Sequence, residues 1–404
     1  MSLFAARVIN RLLEWSELTA VFFLPFSKSA AEIGVFAALA LWLVKRAVLR
    51  EPFEAPALFK ISYALYLAVM LLSLIHAPQA DLATAWRGVF KWLKYLGLFF
   101  LCEELCRDKT AQKKMLTAFM ISLALLTLNG YLQLIQGADW IKHYSVDIPG
   151  RLVRMKSSLQ SPNDLATFYL FGLPLAFRAW HHKEKWSLSS ALACLMLAAF
   201  FVAFVATLSR SAFLALAATL CVYAVCRRRA WIFLAIALLT GTFLVSTPLK
   251  QNFFESVYHK DKTISERLRY WKITGTMIKK SPLIGLGVNT YTRQFARFAP
   301  PEEKYRGYAH NFILQMWAEV GIIGLLFFLI PLAVGLFRAW RASNSPGASS
   351  VQDALLVGIT AYVIQGLFDT NFYAMQVTIL FWLFWGYFPA NQSTPDLKKK
   401  SVMC

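Results

Sequence analysis

The chain has 404 residues, of which 58% are hydrophobic and only 16% are charged. A water-soluble protein of this length cannot bury so large an apolar fraction, so the composition indicates a polytopic membrane protein. The formal net charge of +20 would suggest a nucleic-acid partner in a soluble protein. The sequence carries no nucleic-acid fold signature, and we attribute much of the charge to cytoplasmic loops instead.

Apolar runs long enough, or nearly long enough, to cross a bilayer follow one another along the chain. They predict an all-α polytopic membrane protein with about twelve transmembrane helices. The predicted spans are residues 13–27, 31–48, 57–75, 86–104, 113–135, 162–180, 188–207, 210–226, 230–247, 321–339, 351–369 and 373–388. The N-terminus lacks a cleavable signal pattern, so we expect the first helix to remain as an anchor.

Lys and Arg are distributed unevenly between the short loops. If the helices alternate in direction, the basic loops fall on one side, which predicts that this side and both termini face the cytoplasm. These loops contain Lys45, Arg46 and Arg50; Arg107, Lys109, Lys113 and Lys114; Arg178, Lys183 and Lys185; Arg227, Arg228 and Arg229; Arg338 and Arg341; and Lys398, Lys399 and Lys400. We predict a single membrane-embedded domain over residues 1–390, followed by a cytoplasmic basic tail at 391–404.

With this orientation, two long loops, about 136–161 and 248–309, face outward. The segment that carries candidate site residues extends beyond the second loop, to about residue 320. Residues 263–280 have helical periodicity with basic residues on the other faces, which predicts a helix along the membrane surface. Residues 308–320 are apolar but too short to span, which predicts a re-entrant or flat helix. Gly321 and Gly324 are expected to mark its junction with the next spanning helix.

Five arginines of the outer side are candidates for binding a ligand. Arg210 lies between two predicted spans, at the outer end of both, and Arg151, Arg154, Arg267 and Arg269 lie in the outer loops. Each of them by itself also fits a solvated charge or a contact with lipid phosphate. Several arginines together favour an anionic ligand, because the planar guanidinium binds phosphate oxygens in a bidentate manner.

His310 opens an apolar helix and is followed by Asn311. A helix N-terminus favours the neutral imidazole that a general base requires, although a single histidine is more often structural. Glu319 lies in the following apolar helix, and Asp369 lies near the outer end of a predicted span. Both are candidates for a supporting role, with structural pairing to an arginine as the alternative.

Metal and cofactor signatures are missing from the sequence. The six cysteines lie in or beside apolar segments or at the C-terminus, and no zinc set, Walker motif or Asp-x-Asp occurs. Membrane glycosyltransferases that need a divalent metal usually hold it with outer-face carboxylates. The sequence therefore favours chemistry without a metal, a nucleotide or another cofactor.

Several short motifs occur in an order that resembles the bacterial O-antigen ligase family. They are Ser161-Pro-Asn-Asp-Leu165, Ser209-Arg-Ser211, Arg267-Leu-x-x-Trp271, Pro282-Leu-Ile-Gly-Leu-Gly287, Ala309-His-Asn-x-x-Leu-Gln315 and Glu319-x-Gly-x-x-Gly324. Each motif is short, but their order and spacing together are fairly specific. The resemblance covers about residues 150–370.

The resemblance implies an inverting, metal-independent glycosyltransferase of GT-C-like architecture at the periplasmic face of the bacterial inner membrane. Its donor would be an undecaprenyl-diphosphate-linked O-antigen polysaccharide, and its acceptor the lipid A–core oligosaccharide. Carried over to this chain, His310 would be the general base. Arg210 and Arg267, with Arg151 and Arg154, would bind the donor diphosphate.

Three alternatives remain at the level of sequence. An O-antigen polymerase and a protein-directed oligosaccharyltransferase belong to the same class. The protein-directed members tend to be longer, with additional C-terminal soluble segments. A membrane transporter would place ionisable residues in the middle of spanning helices, whereas nearly all ionisable residues here fall at helix ends and in outer loops.

Overall fold

The computed structural model describes residues 3–50, 55–146, 153–181, 188–227, 241, 262–303, 307–343 and 350–390. Within these ranges the chain forms α-helices and no β-strand, which confirms the all-α prediction for them. The helices are α1 (Leu3–Phe23), α2 (Lys28–Leu49), α3 (Ala57–Ser73), α4 (Leu82–Leu105), α5 (Lys109–Gln136), α6 (Pro162–His181), α7 (Leu188–Ala206), α8 (Arg210–Arg227), α9 (Lys262–Lys280), α10 (Tyr291–Phe298), α11 (Phe312–Ser343), α12 (Ser350–Gly366) and α13 (Met375–Ala390). The predicted span at 230–247, apart from residue 241, and the tail at 391–404 lie outside the described residues.

Four of these helical segments are long and apolar enough to cross a membrane: Ala57–His76, Lys109–Gln136, Ser189–Ala206 and Phe312–Ser343. Three shorter apolar helices follow the same pattern, Arg210–Cys226, Val351–Gly366 and Met375–Phe388. These helices support a multi-pass membrane protein, while the count of twelve spans stays a prediction.

Helices α2 and α4 carry ionisable residues within their length. Lys94 of α4 places its Nζ 2.6 Å from Oε1 of Glu32 in α2, and Glu17 of α1 is also buried. The expectation that nearly all ionisable residues lie at helix ends is therefore wrong for this part of the bundle. The Glu32 carboxylate, whose side chain is 39% exposed, offsets part of the cost of burying the Lys94 ammonium, because it places an opposite charge beside it.

An aromatic core joins α3, α4, α11 and α13. The Trp382 ring of α13 makes edge contacts with Tyr63 of α3, Phe99 of α4 and Phe328 of α11 at centroid distances of 5.7, 6.1 and 6.2 Å. The core continues to Phe372, in the loop before α13, which lies 5.6 Å from Phe328. Large interlocked rings of this kind have few alternative packings, so they hold the loops at one end of the bundle in place.

Charged residues gather at the other end of the bundle. Glu104, at the end of α4, forms ion pairs with Lys45 and Arg46 at the end of α2. Arg107 pairs with Glu103 in the same region. Two of the loops predicted to face the cytoplasm thus lie together at one end, as alternating helices require. The side of the membrane on which they lie stays a prediction.

Helix α11 consists of two helical pieces joined by a break at Gly321, where φ is 69° and ψ is 178°. This break confirms the predicted junction between a short apolar helix and the following spanning helix. The segment 282–287 packs against the break: Leu286 N donates to Ala318 O at 2.9 Å, and Ile322 N donates to Pro282 O at 2.9 Å. We call residues 282–287 and 318–323 together the glycine clasp.

The glycine clasp depends on two glycines with positive φ. A Cβ at Gly321 would overlap the Leu283 carbonyl group, and a Cβ at Gly285 would overlap the Glu319 carbonyl group. Only glycine combines this backbone conformation with so close an approach of two chain segments. The two glycine motifs singled out in the sequence are therefore two sides of one contact.

Candidate functional site

His310 lies against Asp369 at the end of the bundle where α6, α8 and α11 begin. The imidazole Nδ1 is 3.7 Å from the Asp369 carboxylate Oδ1. The Asp369 side chain is 12% exposed and that of His310 is 30% exposed, so the imidazole is the member of the pair that a second molecule can reach. A carboxylate behind an accessible imidazole is an arrangement that can orient a general base and stabilise it once protonated.

The backbone at His310 is held in an unusual conformation. Its φ is +52°, a left-handed value that costs a non-glycine residue roughly 1–2 kcal/mol. The preceding residue, Ala309, is fixed on both sides: its carbonyl accepts from Trp271 Nε1 at 2.9 Å, and its N–H donates to Gln315 Oε1 at 3.2 Å. Strained backbone held in this way is typical of positions where a side chain must be aimed.

The helix that was expected to begin at His310 begins at Phe312. Asn311 is its cap, because Asn311 Oδ1 accepts the N–H of Leu314 at 3.0 Å. Asn311 thus has a structural role in the protein, and the charged group that His310 contacts is Asp369. The Phe312 ring packs on Phe372 at 4.6 Å, which ties the His310 loop to the Asp369 loop.

Asp369 accepts hydrogen bonds from several directions. Asn163 Nδ2 donates to Oδ2 at 2.6 Å, and the Thr370 N–H donates to Oδ1 at 2.8 Å. Burial alone would raise the pKa of Asp369. The contact with His310, the Thr370 amide and the charges of His310 and Arg267 outweigh burial, so the net pKa is lowered. Asp369 is consequently an anion at neutral pH, with the His310 imidazole 3.7 Å away and the Arg267 charge also acting on it.

Arg154 connects this carboxylate to the turn before α8. Its Nη2 donates to Asn163 Oδ1 at 3.1 Å, and its Nε donates to the Thr207 carbonyl at 2.9 Å. Thr207 belongs to the tight turn that continues through Leu208, with φ +50°, to Arg210 at the first position of α8. Burial and the nearby Arg210 charge lower the pKa of Arg154, while Asp369 acts in the opposite direction. Two predicted arginines therefore lie near each other and near Asp369.

Arg267 joins the same group from helix α9. It precedes Trp271 by one helical turn, and Trp271 binds the carbonyl of the residue before His310. The Arg267 charge contributes to the lowered pKa of Asp369. The charge of Arg267 thus acts on Asp369, Asp369 acts on Arg154, and Arg210 acts on Arg154. We call these three arginines, together with His310 and Asp369, the site cluster.

Two other predicted site residues, Arg269 and Glu319, lie elsewhere. Arg269 pairs with Glu303 at 2.7 Å and is half exposed, so it supports the α9 fold rather than the site cluster. Glu319 belongs to the glycine clasp, where its carboxylate accepts from Tyr373 OH at 3.3 Å and from Tyr291 N at 3.4 Å. The expected pairing of Glu319 with an arginine is therefore wrong. Arg151 lies outside the described residues.

Asn163 and Trp271 connect parts of the site. Both belong to motifs of the sequence, but no role was predicted for either of them. Asn163 lies in the Ser161–Leu165 motif and contacts both Arg154 and Asp369. Trp271 ends the Arg267–Trp271 motif and holds the His310 loop. Their positions within motifs mark them as candidates, but the neighbouring residues in the sequence do not indicate which distant residues they contact. Among the described residues, no group of three or more His, Cys, Asp and Glu side chains is placed to hold a metal ion.

Comparison with protein families gives a match over part of the chain. Residues 166–329 match the family model described as O-antigen ligase. The matched segment includes Arg210, Arg267 and His310 of the site cluster, while Arg154 and Asp369 lie beyond its two ends. A search of curated proteins finds no match to this chain.

Proposed function

We propose that this chain, which belongs to the O-antigen ligase family, transfers O-antigen polysaccharide from undecaprenyl diphosphate to the lipid A–core oligosaccharide. The reaction would take place at the periplasmic face of the inner membrane, as a metal-independent transfer with inversion at the anomeric carbon. The family supports ligase- or polymerase-like transfer of a lipid-linked glycan by a membrane protein. The specific donor, acceptor and mechanism are our proposal.

The contact between His310 and Asp369 carries the proposal, together with the charges of Arg267 and Arg154 that interact with Asp369. In its neutral form the imidazole takes the proton of the acceptor hydroxyl as that oxygen attacks the anomeric carbon of the donor sugar. The bond between the anomeric carbon and the phosphate oxygen breaks, and both of its electrons leave with the diphosphate. Asp369 then stands beside the imidazolium and stabilises its charge.

The arginines fit the leaving group in this scheme. Negative charge develops on the bridging phosphate oxygen as the bond breaks, and a guanidinium offers planar, bidentate donation to such oxygens. Arg210 and Arg267 reach the cluster from two different helices, and Arg154 reaches it from a loop held at Thr207. Fixed cations at the place where charge develops lower the barrier without reorganisation during the reaction.

Energy input beyond the donor is not needed for this chemistry. The sugar is already linked to a diphosphate, which is a good leaving group, so positioning, a base and charge stabilisation are sufficient. The same site could extend a glycan chain in a polymerase, because both reactions join a lipid-linked donor to a sugar hydroxyl. The acceptor therefore has to be identified by experiment.

Deletion of the gene for this protein in its host tests the choice of acceptor. We expect polymerised glycan to accumulate on the lipid carrier while lipopolysaccharide stops at the core, with recovery on expression of the wild-type chain but not of His310→Ala. Single repeat units on the carrier would instead indicate a polymerase and overturn the ligase assignment. Normal glycan on the lipid and loss of it from a protein would indicate a protein acceptor.

A further inference from the structure

We infer that Asn163 is a positioning residue that joins the phosphate-binding arginines to the catalytic base by orienting Asp369 through its side-chain amide. This inference rests on the proposed function for its catalytic meaning, but the connection itself is visible in the contacts. Asn163 Oδ1 accepts from Arg154 at 3.1 Å, and Asn163 Nδ2 donates to Asp369 at 2.6 Å.

The orientation of the Asn163 amide follows from its neighbours. A guanidinium has only donors, so the atom facing Arg154 has to be the Asn163 oxygen. The nitrogen is then turned toward Asp369, which as a carboxylate has only acceptors. Among short polar side chains, only an amide offers one acceptor atom and one separate donor atom in this fixed geometry. A carboxylate at position 163 could satisfy Arg154 but would face Asp369 with another acceptor.

The neighbours of Asp369 also bear on which nitrogen of His310 carries the proton. Asp369 Oδ2 accepts from the Asn163 amide and Oδ1 accepts from the Thr370 N–H, and Oδ1 faces His310 Nδ1 at 3.7 Å, which is longer than a hydrogen bond. An anionic carboxylate on this side of the ring favours the proton on Nδ1 electrostatically, which leaves the lone pair of the neutral ring on Nε2. Nε2 is then the atom that accepts a proton from the acceptor hydroxyl.

Asn163 is itself held at the start of α6. Its N–H donates to Ser161 Oγ at 3.1 Å, and its carbonyl accepts from Thr167 Oγ1 at 2.9 Å. Thr167 Oγ1 also lies 2.8 Å from Gln365 Oε1 of α12, the helix that leads into the Asp369 loop. The amide is therefore carried on a rigid backbone that is joined to the element bearing its partner, as a positioning group requires.

A reciprocal exchange of the two side chains tests the inference. Asn163→Asp keeps an acceptor for Arg154 but replaces the donor to Asp369 with a second carboxylate. Two carboxylates this close cannot both be ionised. Asp369→Asn removes the charge beside His310. The double variant Asn163→Asp/Asp369→Asn can rebuild the hydrogen bonds that join Arg154, position 163 and position 369. Its carboxylate at position 163 would accept from Arg154 and from the amide at position 369, and the oxygen of that amide would face His310.

We expect each single variant to lower kcat by roughly 10- to 100-fold with a smaller change in the donor KM, and the double variant to return to within about tenfold of wild type. If the two substitutions acted independently, the double variant would instead lose kcat by the product of the two single-variant factors. The acid limb of the pH–rate profile should lie at lower pH in the double variant than in wild type, because the negative charge is one residue farther from the imidazole. All four proteins are compared at equal, monodisperse amounts in detergent.

A second readout does not depend on turnover. The titration of His310 in isotope-labelled protein, assigned with His310→Gln, should shift in both single variants. A double variant no more active than the singles, together with an unshifted His310 titration in Asn163→Asp, would overturn the inference. Shifted titration with unchanged turnover in every variant would retain Asn163 as the residue that positions Asp369 and would overturn the base assignment of the proposed function instead.

Discussion

Glu319 in the glycine clasp and Asp369 in the site cluster are both buried carboxylates, but their partners differ in kind. Glu319 accepts from the hydroxyl of Tyr373 and from a backbone amide, groups that hold segments together. Asp369 contacts a titratable imidazole and an amide that leads to an arginine. Burial of a carboxylate therefore does not identify its role, whereas the chemistry of the groups it contacts does.

The backbones of the two regions differ in a corresponding way. Positive φ values in the glycine clasp occur at Gly285, Gly287 and Gly321, where the residue has no Cβ and the conformation causes no strain. In the site, the positive φ falls on His310 itself, where glycine would remove the functional group. The site keeps a strained conformation for its imidazole, and Trp271 and Gln315 hold the adjoining residue in place.

The largest effect is expected from the clasp. Gly321→Ala should prevent stable folding, because the added Cβ overlaps the Leu283 carbonyl group and the backbone conformation is unfavourable for alanine, a combined cost of several kcal/mol, on the order of 3 or more. Gly275→Ala is the matched control, since a Cβ there meets no atom within 4 Å inside α9. We expect the control to be as stable as wild type or up to about 1 kcal/mol more stable.

Thermal unfolding of the purified proteins in detergent, together with their amount in the membrane fraction, distinguishes the two glycine variants. Equal stability of Gly321→Ala and Gly275→Ala would show that the clasp does not hold the site. In that case the distinction between a structural and a functional region would have to be abandoned.

His310 should give the next largest effect. His310→Gln keeps a hydrogen-bonding side chain but cannot take up a proton, so we expect folded protein with turnover lowered roughly 10²- to 10⁴-fold. Wild-type turnover should rise with pH as the imidazole becomes neutral and then flatten. Because the pKa of Asp369 is lowered, this carboxylate stays ionised across the rise and adds no second limb. Near-normal turnover of His310→Gln would end the base assignment.

The arginines should show an intermediate effect, and helix α9 provides its own control. Arg267→Ala should lower turnover by roughly 10²-fold through loss of charge at the leaving group, and Arg267→Lys should restore only part of it. The control is Arg269→Ala, two positions along the same helix. It removes the pair between the half-exposed Arg269 and the buried Glu303, so it should lower stability by about 1–3 kcal/mol, while the folded protein keeps its turnover. Arg210→Ala is expected to resemble Arg267→Ala.

Donor-binding assays with each arginine variant sharpen this comparison. Equal loss in Arg267→Ala and Arg269→Ala would mean that the whole basic face of α9 acts as one charged surface. Unchanged donor binding and turnover in both Arg210→Ala and Arg267→Ala would remove these residues from the site.

The smallest effect is expected from chelation. Purified protein should join donor and acceptor equally well with and without EDTA, and without ATP, because its proposed site uses arginines for the diphosphate and an imidazole for the proton. Activity that is lost on chelation and restored by magnesium or manganese would contradict the metal-independent mechanism.

Much of the molecule follows from local properties of the sequence. Apolar length and helical periodicity predicted most of the helices, and the pair Gly321 and Gly324 predicted the break in α11, because backbone conformation and burial of a helix face depend on near neighbours. The motifs also singled out Arg210, Arg267 and His310. Helix geometry also predicts that Arg267 and Arg269 point in different directions, because residues two positions apart are about 200° apart around the helix axis.

Only the tertiary structure decided which of these residues meet. Asn163 and Asp369 are 206 positions apart, and the residue types at those positions do not reveal that an amide joins an arginine to the carboxylate behind His310. The assignment of Glu319 to the clasp and of Asp369 to the site depended on contacts of the same kind. Such contacts are set by how helices pack against one another, which is a property of the whole bundle, whereas periodicity and turn propensity are properties of short segments.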